Sequence, residues 1–216
     1  MSSRTAHRSL SRDEALALAR SAFPDQLLGP LFDGLHPAAG LRVVDQRGAG
    51  SALVEETRTG KRALLMSTLP LQAKRSDGKL APIDLSLENT ARGVGPTNSL
   101  APFRVEPVSA ARVSFPGKGV SISVRSGDRH SMQTANDRAF FANVLPDTDV
   151  AVTPLPDGAE LSVLVRSPDA PEHFAFDVKL PEGARLRHAV AKDPIPDPDP
   201  TVSRLGAVDR LGIGGF

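Results

Sequence analysis

From Leu41 onward, apolar residues recur at every second position, and turn-forming residues break the pattern at short intervals. The clearest instance is Phe174, Phe176, Val178 and Leu180, which alternate without interruption. Successive side chains of a strand point to opposite faces, so such a run suits a strand with one face on a core. The same alternation predicts strands over residues 41–45, 52–56, 62–67, 82–88, 103–108, 119–125, around Val150 and Val152, over 160–166 and over 173–180. Ile83, Leu85 and Leu87 share one face, as do Val120, Ile122 and Val124, with serines opposite. The turns are spelled "TRTG", "SDGK", "FPGKG", "LPDG" and "LPEG". No helical pattern intervenes to build parallel βαβ units. The expectation is an all-β fold, an antiparallel β-sandwich-like domain over residues 41–190.

The ends differ. Residues 1–40 form a helical segment whose one firm helix runs over 11–23. Ser11 and Glu14 make the Ser-x-x-Glu capping box, Leu16, Ala19 and Phe23 share a face, and Pro24 stops the helix. Leu27, Leu28, Leu31 and Leu35 continue at helical spacing, interrupted by Gly29 and Pro30. The polar face is not lysine-rich, so the segment reads as a cover on the main domain and not as a membrane-surface helix. Residues 191–216 open with "KDPIPDPDP" in their first ten positions and read as a proline-rich linker or tail.

Composition removes several functions. The 26 basic and 25 acidic residues are spread along the chain, with no cationic block of the kind nucleic-acid binders use. No apolar run is long enough for a transmembrane helix. The chain has no cysteine, which excludes disulfides, zinc–thiolate sites and cysteine nucleophiles. All nine aromatics are Phe, so a lectin-like site stacking sugars on Trp or Tyr is disfavoured, and no small-molecule ligand is predicted. The first twenty residues lack the apolar stretch of a secretory signal, which places the protein inside the cell or its true start upstream of Met1.

Few residues suggest chemistry. His7, His36, His130, His173 and His188 show no pair at metal-ligand spacing. His130 lies beside Ser131 and near Asp128, but a catalytic triad draws on separate elements, so a polar loop is expected there. Asp147, Asp149 and Asp157 are the best candidates for a metal site, and a metal-assisted hydrolase on the Asp147/Asp149 loop is the rival function. Turn capping by Asp147 and an ordinary Asp157–Gly158 hairpin turn outweigh it. The glycine-rich stretch 88–98 lacks a P-loop lysine and reads as a surface loop, and no cofactor is expected. Arg166, Ser167, Pro168, Asp169, Pro171 and Glu172 read as a rigid structural corner. Proline ends the preceding strand, Arg166 clamps Asp169 or Glu172, and residues 173–180 return as the next strand.

Ser67 with Leu69-Pro70, Pro82 with Asp84-Leu85-Ser86-Leu87, and Asp147 with Asp149 form a distinctive set, which Gly158 with Glu160 and Arg166-Ser167-Pro168 with Pro171-Glu172 complete. Through these pieces, residues 63–186 bear a resemblance to the β-rich N-terminal region of large bacterial surface or secreted proteins that carry Rhs/YD repeats farther along. It implies a non-enzymatic structural or interaction module, extracellular or at the cell surface, whose partners are other domains of the same larger polypeptide. No repeat of about 20–50 residues is visible in the chain itself, which fits a fragment or truncated copy.

Overall fold

The computed structural model describes residues 10–186 apart from 33, 35–38, 76 and 91. The chain divides into two compact units, Met1–Pro181 and Glu182–Phe216. The expected tail over 191–216 lies outside the described residues, as do His7, His36 and His188.

The first unit is an antiparallel β-sandwich with a helical layer on one side. α1 (Arg12–Ala22) begins at the expected capping box: Ser11 Oγ accepts the Glu14 N–H at 3.3 Å, and Glu14 Oε2 accepts the Ser11 N–H at 2.8 Å. Phe23 ends α1 and starts the single-turn α2 (Pro24–Leu28), with Pro24 in the first turn, where its missing N–H costs nothing. A three-stranded sheet follows, in the order β1 (Leu41–Gly48), β2 (Ser51–Glu56), β3 (Arg62–Met66). Next comes the small hairpin β4 (Gln72–Lys74) and β5 (Leu80–Pro82).

The sandwich proper has two sheets. Its first is formed by β6 (Asp84–Thr90), β7 (Gly93–Asn98), β8 (Arg104–Val105), β10 (Val113–Phe115), β11 (Val120–Val124) and β16 (Phe176–Lys179), and runs β16-β11-β10-β8-β7-β6. Its second is formed by β9 (Val108–Ser109), β12 (His130–Ala135), β13 (Arg138–Leu145), β14 (Thr148–Leu155) and β15 (Gly158–Val165), and runs β15-β14-β13-β12-β9. Val105, Val113 and Val124 from the first, with Phe103 just before β8, meet Phe141, Val144, Val150 and Val152 from the second, all nearly or fully buried.

The neighbouring side chains on β13 and β14 point the other way. Phe140, Ala142 and Ala151 pack beneath Ala15, Leu16, Ala19 and Leu27 of the helical layer. These two strands are covered on both faces, so they read as a continuous apolar run instead of an alternation.

Several corrections follow. The stretch 88–98 is not a surface loop but the hairpin of β6 and β7, closed by Thr90 and Gly93. Its glycines are needed for strand packing. A Cβ on Gly95 would stand 2.3 Å from the Phe103 carbonyl oxygen and 2.8 Å from Arg104 Nη1. Gly95→Ala is expected to cost about 2 kcal/mol or more in urea unfolding, whereas Gly127→Ala, which meets open space, should be near neutral. His130 is not in a polar loop but opens β12, opposite Ser109 of β9. Residues 173–180 do not return beside the strand before the corner. Only Phe176–Lys179 is strand, and it pairs with β11 in the opposite sheet.

Candidate functional site

The acidic candidates lie on the hairpin of β13 and β14. Pro146 and Asp147 form its two-residue turn between Leu145 and Thr148, and Asp147 takes the positive φ (48°) that a type II turn demands at its second central position. Two residues on, Asp149 is fully buried. Asp157 sits at the far end of β14, in the turn to β15 between Leu155 and Gly158. The eight residues of β14 separate the two turns, about 26 Å at the usual rise. Asp157 therefore cannot share a cation with Asp147 and Asp149. Among the described residues, no group of three His, Asp or Glu side chains is placed to hold a metal ion.

Asp149 is bound instead to Asn143, where β13 bulges. Asn143 has φ of 55°, a left-handed conformation in which Asn is several-fold enriched, and the register of β13 against β14 shifts between Phe141 and Leu145. Its backbone N–H donates to Asp149 Oδ1 at 2.8 Å. Its side-chain Nδ2 donates to the Leu10 carbonyl at 2.8 Å, fixing the chain just before α1. Arg166 completes the group. Its side chain is 4% exposed, Nη2 donates to Asn143 Oδ1 at 2.6 Å, and Nε lies 3.4 Å from Asp149 Oδ2. Burial pushes the Asp149 carboxyl above its ordinary value, against the Asn143 N–H and the Arg166 charge, which pull it down.

This overturns the expected clamp. Arg166 does not reach forward to Asp169 or Glu172; it turns inward beneath the corner. The corner itself is tied to the acidic turn by Ser167, whose Oγ donates to Asp147 Oδ2 at 2.6 Å and accepts the Asp169 N–H at 3.2 Å. The Arg166 N–H donates to the Asp147 carbonyl at 2.9 Å, and the Ala170 N–H to the Ser167 carbonyl at 3.2 Å. Pro168, Asp169 and Glu172 are exposed and Pro171 half-buried along the crossing from one sheet to the other. The structure thus brings together Asp147, Asp149, Arg166 and Ser167, and leaves Asp157 apart.

Two buried polar residues, Asn143 in this group and Arg138 apart from it, escaped the sequence. Asn143 is a lone polar residue in "AFFANVL", and that interruption of an apolar run was the available signal. Arg138 follows the Asn136–Asp137 turn, whose two positive φ angles suit a tight hairpin. Its buried guanidinium donates from Nη2 to the Gly29 carbonyl at 2.7 Å and from Nη1 to the Asn136 carbonyl at 3.0 Å, holding the end of α2. His130 and Ser131 are consecutive on β12 and so point to opposite faces, which rules out a dyad between them.

No helix among the described residues is long and apolar enough to cross a membrane. No family model, curated protein or solved structure matches the chain.

Proposed function

We propose that this chain is a non-enzymatic structural or interaction β module of a larger secreted or cell-surface protein of the Rhs/YD-repeat kind. The observation that carries the proposal is how its buried polar groups are used. Asp149, Asn143 and Arg166 bind one another, and Asn143 also binds the segment before α1. Ser167 joins Asp147 to the corner, and Arg138 holds the carbonyls at the end of α2. Each fixes a turn, a bulge or a helix end. A hydrolytic carboxylate must meet water and substrate, whereas Asp149 is fully buried.

The test is a screen of ester, phosphoester, glycoside and peptide hydrolysis with and without divalent metal ions, on the wild type and Asp147→Ala. No turnover and no stoichiometric metal are expected in either protein. Metal-dependent turnover that disappears in Asp147→Ala would overturn the proposal in favour of the hydrolase. Sequencing the DNA on both sides of the gene tests the larger polypeptide, where an in-frame repeat array is expected.

A further inference from the structure

Among the described residues, the three-stranded sheet ends at β3, and every residue of β3 is exposed. Leu64 and Met66 are 56% and 73% exposed. Natural proteins blunt such edges with bulges, proline or charges. The opposite edge, β1, is blunted in this way: its register shifts twice, between Val43 and Asp45 and between Gln46 and Gly48, and it carries Asp45 paired with Arg47. β3 has no such device. It pairs with β2 without a shift from Ser51–Met66 to Glu55–Arg62, and its one charge, Arg62, is held by Glu55 at 2.9 Å. Glu55 also accepts from Arg42 across the sheet, and these two guanidinium groups keep its carboxyl below the ordinary value.

The backbone of β3 has a definite direction. The Ser67 N–H donates to the Gly50 carbonyl and the Glu56 N–H to the Lys61 carbonyl, each at 2.9 Å. Lys61 and Ser67 therefore turn their backbone groups towards β2. That role alternates along an antiparallel strand, so Ala63 and Leu65 face β2 as well. Arg62, Leu64 and Met66 present N–H and C=O to the free side.

We propose that β3 pairs antiparallel with β3 of a second copy, about a two-fold axis through Leu64, to form one continuous six-stranded sheet. On this axis Leu64 faces Leu64 of the second copy, and Arg62 faces Met66 on either side. All three are hydrogen-bonding positions, so every outward N–H and C=O of the strand finds a partner. An axis through Ala63 or Leu65 leaves one of the three without a partner on the strand. No like charges meet, because Lys61 falls opposite Ser67 and Arg62 opposite Met66. The same patch serves both copies, as closed two-fold assembly requires. The inference rests on the chain being an interaction module and names one partner for it.

The test is light scattering and sedimentation of the 216-residue chain over a wide concentration range. A concentration-dependent dimer is expected. Leu64→Lys, which places two lysines on the axis, should abolish it. So should Leu64→Pro, because the lost N–H faces outward and takes no bond from the β2–β3 ladder. Val108→Lys, at an exposed position on β9, should leave it intact. The absence of cysteine permits a direct measurement. Hydrogen-bonded antiparallel pairs have Cα atoms about 5.5 Å apart, within disulfide reach, so Leu64→Cys should oxidise rapidly to a covalent dimer and Val108→Cys should not. A chain that is monomeric throughout, a dimer that survives Leu64→Lys, or equal oxidation of the two cysteine variants overturns the self-pairing. So does capture of a foreign strand without self-association. None of these results touches the module proposal, which falls on metal-dependent turnover lost in Asp147→Ala.

Discussion

Arg166→Met is expected to destabilise the fold by about 3 kcal/mol or more at neutral pH, because breaking a buried ion pair from one side leaves a buried charge unpaired. Methionine fills much of the aliphatic space but supplies neither the donor to Asn143 Oδ1 nor the charge beside Asp149. The pH dependence identifies the cause. The Asp149 carboxyl already titrates above its ordinary value because burial penalises its charged form. A raised carboxylate favours the protonated folded state, so its contribution to stability is lost as pH rises through the ordinary and then the raised value. Removing Arg166 raises Asp149 further and enlarges that loss. The deficit of Arg166→Met should therefore shrink on acidification, and Arg166→Met with Asp149→Asn should be more stable than Arg166→Met alone at neutral pH. Urea unfolding at neutral and mildly acidic pH measures both. A deficit unchanged by pH, or by Asp149→Asn, would show that Arg166 acts through packing alone.

The corner shows how far a local pattern carries. Ser167, Pro168 and Asp169 mark a turn wherever they occur together, because each favours backbone conformations that end a strand. Local sequence is enough to expect a turn there. It could not place the partner of Arg166, since Asn143 lies 23 residues earlier and meets it only after β13, β14 and β15 have paired. Neighbouring acids made Asp169 and Glu172 the nearest choices along the chain, and tertiary packing selected a different pair. Asp147 and Asp149 present the same contrast. Two residues apart, they differ because one occupies the turn and the other points beneath the helical layer's anchor at Asn143.

Fold class was legible wherever a strand has one covered face. Residues 52–56 and 82–88 alternate because water meets one side, and the class follows from many such segments. β7 was hidden by Gly93, Gly95 and Pro96, residues that usually punctuate. Here Gly95 lets the Phe103 carbonyl approach, and Pro96 lies two residues past the one pair, Val94 with Val105, that β7 makes with β8. β13 was hidden for the opposite reason. Its Phe140 and Phe141 are both buried, on different faces, so no period of two survives.

Those two residues support the last prediction. Phe141→Ala is expected to cost about 4 kcal/mol, the usual range for truncating a fully buried Phe. Phe141 lies opposite Met132 on one side and Val150 on the other, and belongs to the cluster with Phe103, Val105 and Val113 that joins the two sheets. Its loss should lower the midpoint of thermal unfolding by about 10 °C for a domain of this size, with all amides losing protection together. Phe140→Ala removes an equal volume from the adjacent position, but on the face that carries α1. There the cavity opens beneath Ala15, Leu16 and Ala19, where the side chains of Asn143 and Gln133 donate hydrogen bonds to the Leu10 carbonyl and to Asp13 Oδ1. Hydrogen exchange in Phe140→Ala should therefore quicken first in α1 while the strand amides between the sheets stay protected. If the two variants exchange alike, helix and sandwich unfold as one unit, and the helical layer is as integral to the fold as either sheet.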